Sequence, residues 1–191
     1  MLSISKSQQL LIAVVLMLLM IVTRGQHFAS INALPSASWA VFFLAGLYLS
    51  RPFWFPVLLL LAAALDFAAI TWAGVSSYCV SPAYGFLVPA YGALWLAGRW
   101  YAQQHQFAWT TILPLAFSVA AAAAVATTFS SGGFYFFSGR YVDPTLAEFG
   151  LRFVKYFPKY LSSLSFYVAI AAIVHIAFHF SRFGQQVNQQ P

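Results

Sequence analysis

A chain of 191 residues that is 62% hydrophobic, 19% aromatic and only 6% charged lacks the polar surface that a water-soluble domain of this length presents. Nine Lys and Arg against three acids give a formal charge of +6, but the bases stand singly between apolar runs, as interfacial anchors do, so no nucleic-acid surface is expected. A single cysteine excludes an internal disulfide and any Cys-x-x-Cys redox motif, and no Walker, Gly-x-Ser-x-Gly, His-Glu-x-x-His or paired-carboxylate motif is present for ATP, ester or peptide hydrolysis.

Apolar runs bounded by Arg, Pro, Gly and Ser predict six membrane spans in one transmembrane domain covering 1–191, at about 8–23, 36–50, 53–73, 83–101, 107–129 and 152–182. The first has the outline of a signal peptide, with Lys6 ahead of the apolar run. Arg24 and Gln26 follow where small residues would mark cleavage, so it reads as a retained helix. Pro52 and Pro56 fall at the start of the third span, where a missing N–H costs little, whereas Pro89 and Pro114 are expected to kink the fourth and fifth. The run Ala62–Ala64 with Ala68, and the stretch 120–124, read as close-packing faces. Six spans put both termini on one side. Lys6, Arg51, Arg99 and Arg182 fall on the side of the short connections, which the positive-inside rule assigns to the cytoplasm.

Five places could carry chemistry. Asp66 lies inside the third span, where a carboxylate costs about 3 kcal/mol even on a lenient insertion scale and counts as a functional residue by default. At roughly 10 Å below the end of its helix, it is expected to sit uncharged and to hydrogen-bond Tyr84 or loop amides. Cys79 lies in Tyr78-Cys79-Val80-Ser81-Pro82, a loop between Gly74 and Tyr84 where a thiol is accessible to ligands. His175 and His179 have the i, i+4 spacing of two metal ligands, yet read as interfacial histidines near a helix end, with His105 on the same side. His27 falls on the face of Cys79 and is a candidate upper ligand, a hydrogen-bonding loop histidine being the plainer reading. Finally, the fifth connection, 130–141, carries Gly132, Gly133 and a run of Phe and Tyr, and reads either as a glycine-hinged lid over a broad amphipathic ligand or as a loop dipping into the membrane.

Asp66, the Tyr78-Cys79-Val80-Ser81-Pro82 loop and Tyr84 together resemble the small six-helix cobalamin transporters of the BtuM type, related to the substrate-binding S-components of energy-coupling-factor vitamin transporters. The resemblance implies an all-α integral membrane protein, a six-helix bundle of the bacterial cytoplasmic membrane, with cobalamin as transported substrate. It implies that Cys79 is an axial ligand to the corrinoid cobalt, with Asp66 and Tyr84 around the site; by their position Tyr78 in the loop and His27 on the same face are added to the expected binding residues. Cobalt leaves axial positions open in a corrin, and a thiolate suits such a metal. A thiolate that displaces cyanide would add decyanation to binding, with Cys79 and Asp66 as its reactive groups. No free metal ion is expected. The first span departs from the S-component pattern: Leu11-Ile12-Ala13-Val14-Val15-Leu16-Met17 lacks an Ala-x-x-x-Ala docking face, which argues against an ATP-driven energising module and for a solitary transporter whose partners are cobalamin and the bilayer. Two other classes stay open on the residues alone, a haem- or metal-binding membrane enzyme and a ligand-free assembly protein.

Overall fold

Long apolar runs have no water to satisfy their backbone, so they close their hydrogen bonds internally as helices. The computed structural model describes residues 5–24, 34–74, 76–77, 81–106 and 108–187, with side chains as far as Phe178, and no strand occurs among them. In chain order the helices are α1 (Lys6–Arg24), α2 (Ser38–Tyr48), α3 (Trp54–Trp72), α4 (Leu87–Gln104), α5 (Ile112–Thr127), α6 (Gly133–Phe137) and α7 (Leu146–Val187). Among the described residues, α1, α3, the continuous run Trp109–Phe137 and the segment Leu146–Phe178 are long and apolar enough to cross a membrane.

The other two expected crossings are shorter or more polar. Helix α2 has 11 residues, a rise of about 16 Å against a hydrocarbon core of about 30 Å. Helix α4 has 18 residues, but Arg99, Gln103 and Gln104 dilute its apolar character. Neither Pro89 nor Pro114 kinks its helix. Each is the third helical residue, in a first turn whose N–H groups have no intrahelical acceptor to lose. The proline inside a helix is Pro158, in α7.

Helix α2 forms the middle of the core. Ala40, Val41, Phe42, Phe43 and Ala45 are buried, and Phe42 stacks flat on Tyr91 of α4 with ring centroids 4.2 Å apart. Glycines let α2 and α4 approach closely: a Cβ on Gly46 would run into the Trp95 carbonyl, and one on Gly98 into the Phe43 carbonyl. Helix α5 packs on α4 and α7 with Ala122, Ala123 and Ala126 buried, and the Ser118 hydroxyl donates to the Ala97 carbonyl at 2.9 Å. The alanine stretch is therefore a packing face. Of the run in α3 only Ala62 faces inward, while Ala63 and Ala64 are exposed.

One end of this bundle gathers the start of α1 and the ends of α2 and α4. The Ser50 N–H and hydroxyl both donate to Gln9, and Arg99 donates to the Leu49 and Ser50 carbonyls. This is the short-connection end. The opposite end gathers the end of α1, the start of α2 and the last turns of α3.

Candidate functional site

Asp66 faces the bundle because of its register. Leu58, Ala62 and Ala69 are the buried residues of α3, and Asp66 falls four after Ala62 and three before Ala69, on the same stripe. On α1 the buried positions are Ala13, Leu16, Met20 and Thr23, so Arg24, one turn after Met20, also turns inward. The two meet as a bidentate pair: Arg24 Nε donates to Asp66 Oδ1 and Nη2 to Oδ2, both at 2.7 Å. The two equal N–H···O distances make a bidentate fork, the arrangement that makes such pairs strong and orientation-specific.

Arg24 has further partners. Its Nη1 donates to the Tyr91 hydroxyl at 2.7 Å and to the Ser38 hydroxyl at 2.9 Å, while Tyr84 donates its hydroxyl to Asp66 Oδ2 at 2.7 Å. The Tyr84 contact agrees with the sequence expectation. The guanidinium was missing from the sequence reading: Arg24 was read as an interfacial end residue, and it faces Asp66 across the bundle. Tyr84 sits in a short 3₁₀ turn, Pro82–Phe86, begun by Pro82 and preceded by Ser81 in the extended conformation that a following proline demands. Burial and the hydrogen bond to Asp66 hold its phenol above the ordinary value, so it remains a donor at neutral pH.

Asp66 and Tyr84 lie in the wall of a cleft of about 390 Å³ bounded by α3, the 3₁₀ turn, the 128–137 segment and the first turns of α7. Aromatic side chains line it, including Phe134, Tyr141, Phe149, Tyr156 and Tyr160. The connection expected as a loop is helical in part. The 128–137 part of that connection is helical, a π turn at Thr128–Gly132 that puts Ser130 and Ser131 on the cleft wall, followed by α6. Gly133 is a packing residue in it, since a Cβ there would enter the Phe86 ring.

A cation lining the same cleft escaped the sequence reading. Arg152 donates to Glu148 Oε1 through Nη2 at 3.0 Å, lies over the Tyr141 and Tyr135 rings, and lines the cleft. Glu148 also accepts from the Tyr135 hydroxyl at 2.8 Å. A visible signal was Thr145-x-x-Glu148, a capping-box pattern that starts α7 at Leu146, six residues before the expected span. The cleft thus carries a paired carboxylate, a phenol and a guanidinium among apolar aromatic rings. Such a surface can hold a flat, largely apolar molecule with polar edge groups.

Cys79, Tyr78 and His27 lie outside the described residues. The flanking Gly74 and Ser81 follow α3 and precede the Tyr84 turn, at the Asp66 end of the bundle. His105 and His175 lie at the other end, where their rings meet edge to face with centroids 5.3 Å apart. A scan against protein-family models and a search of curated proteins found no match to the chain.

Proposed function

We propose that this chain is a corrinoid uptake protein of the bacterial cytoplasmic membrane, taking cobalamin into the aromatic cleft with Cys79 as the axial ligand to cobalt. The observation that carries the reading is the Asp66–Tyr84 hydrogen bond at the wall of that cleft, on the two elements that bracket the cysteine-bearing loop. In this reading α2 and α4 also cross the bilayer, making six spans with both termini cytoplasmic. Short α2 is buffered from lipid by its neighbours, its residues 40–46 being buried. The cleft is smaller than a whole cobalamin. An edge of the corrin enters it, and the rest lies across the mouth.

The chemistry needs only a ligand exchange. The Cys79 thiol gives up its proton, the thiolate forms a Co–S bond, and the upper cyanide leaves with its electron pair, to be released with the proton as hydrogen cyanide. Cobalt keeps its oxidation state. The Arg24-bound Asp66 acts by orienting Tyr84 and the turn that follows the loop. Solitary operation is supported by Ala13, the one small residue in the middle of α1, which is buried in the core rather than offered to a coupling subunit.

The test is the absorption spectrum of the detergent-purified protein with cyanocobalamin. Corrinoid bands displaced from those of the free vitamin, and restored to the free positions in Cys79→Ser, are the expected result. A Soret band from a co-purifying haem, or corrinoid spectra identical in wild type and Cys79→Ser, would overturn cobalt ligation by Cys79.

A further inference from the structure

Four hydroxyl residues precede α6, and they divide into two pairs. Thr127 and Thr128 donate back to the carbonyls of Ala123 and Ala124, at 2.7 and 2.9 Å, as Ser and Thr inside helices commonly do. The hydroxyls of Ser130 and Ser131 make no hydrogen bond among the described residues, and both residues line the corrinoid cleft. The change falls in the π turn Thr128–Gly132, where the widened backbone leaves the ordinary i−4 register, a feature that recurs at functional sites. We propose that Ser130 and Ser131 are specificity-determining residues that hydrogen-bond neutral amide groups at the edge of the corrinoid and so select amidated corrinoids over carboxylate-bearing ones, an inference that rests on cobalamin being the ligand of this cleft.

The turn that carries the two serines is seated on both sides. A Cβ on Gly132 would come within 3.1 Å of the Phe149 ring of α7, and one on Gly133 would enter the ring of Phe86, in the same 3₁₀ turn as Tyr84. Phe86 also stacks on Phe137 of α6, with ring centroids 5.0 Å apart. The hydroxyls therefore have a preset position relative to Tyr84 and Asp66, which lowers the ordering cost of binding.

The chemistry of the wall favours a neutral partner. A serine hydroxyl both donates and accepts, and so does a primary amide, the group that cobalamin carries around its corrin, whereas a carboxylate only accepts. The charged groups that line the cleft already have partners: Asp66 is paired with Arg24 at 2.7 Å and Arg152 with Glu148 at 3.0 Å. A ligand carboxylate placed among the aromatic rings would lose hydration without gaining an unmatched cation, and an amide needs only the two hydroxyls.

Equilibrium dialysis of the purified protein in detergent tests this, with cyanocobalamin compared against its separate monocarboxylates, each with one side-chain amide hydrolysed. High salt screens the exposed Lys155 and Lys159. Wild type should bind at least one monocarboxylate about fivefold more weakly than cyanocobalamin, a measurement that needs no variant. Ser130→Ala and Ser131→Ala should each weaken cyanocobalamin roughly two- to tenfold, and the double variant should lose most of the preference while keeping the displaced bands that report Cys79 ligation. Displaced bands in wild type with no preference against any monocarboxylate, or equal cyanocobalamin affinity in wild type and the double variant, would overturn the role of the serines alone. No corrinoid binding by wild type would overturn the corrinoid reading itself and this inference with it.

Discussion

Where α1 finishes, α2 and α4 give Ser38 and Tyr91 to the guanidinium of Arg24; nearer the short connections the same two helices press Gly46 and Gly98 against each other's backbone. The first end is held by a charge pair with three further side-chain partners around its cation and anion, the second by contact of carbonyls with glycine and by the hydrogen bonds of Gln9 and Arg99. A buried ion pair has a large desolvation cost that its own attraction only partly offsets, whereas close packing has none. The difference teaches where binding chemistry can be hosted. The Arg24–Asp66 pair stands beside a cleft with a further guanidinium and several phenols, and the glycine seam has only cohesion to provide.

Removing one member of the charge pair breaks the comparison most severely. Arg24→Met leaves Asp66 without its counter-ion and is expected to cost about 3–5 kcal/mol, read as a fall in the unfolding midpoint in mixed micelles, while Arg24→Met combined with Asp66→Leu regains most of it. An Arg24→Met protein as stable as wild type would remove the distinction between the two ends. At the packed end, Gly98→Ala forces a methyl toward the Phe43 carbonyl and should cost about 1–3 kcal/mol. The same unfolding assay reads it, and corrinoid affinity corrected for the folded fraction should stay unchanged.

Tyr84→Phe deletes one donor from a carboxylate that keeps Arg24, so a smaller loss of about 1 kcal/mol in stability is expected, with a clear fall in corrinoid affinity. Because burial and the Asp66 bond raise the Tyr84 phenol, it is more readily protonated folded than unfolded. The stability linked to it is complete below the ordinary phenol value and is lost as pH climbs through the raised value. Wild-type unfolding should therefore show a loss at high alkaline pH that Tyr84→Phe lacks. The smallest change in stability belongs to Arg152→Gln, since its pair with Glu148 is half-exposed. Its melting midpoint should hardly move, while equilibrium dialysis should show weaker corrinoid binding; unaltered binding would confine the site to the Asp66 wall.

Much of the bundle was legible because it follows from local composition. The apolar runs that became α1 and α3, the packing role of the alanines in α5, and the Asp66–Tyr84 bond all follow from residues near one another in the chain. The elements misread were those whose local signal is ambiguous. Pro89 and Pro114 lie in first turns rather than helix interiors, and a shift of a few residues in a helix start decides which. Glycines and aromatics in 128–137 suit a loop by composition, yet contact with Phe86 and Phe149 makes the small residues useful inside a helical segment.

The sequence by itself determined a helical chain with helices long and apolar enough to cross a membrane, because apolar residues with no water partners leave the backbone no other economy of hydrogen bonds, and it singled out Asp66 because an isolated carboxylate there is costly. Tertiary structure alone decided the partners. Arg24 and Asp66 are 42 positions apart, and whether a guanidinium at the end of one helix meets a carboxylate inside another depends on how α1 and α3 are rotated about their axes. Arg152 reaches the cleft only because α7 begins at the Thr145 cap and passes over the 128–137 segment, and His105, just past the end of α4, meets His175 of α7 only in the folded bundle. Helix rotation and register are set by side chains interlocking across the whole bundle, a quantity that no window of the sequence contains.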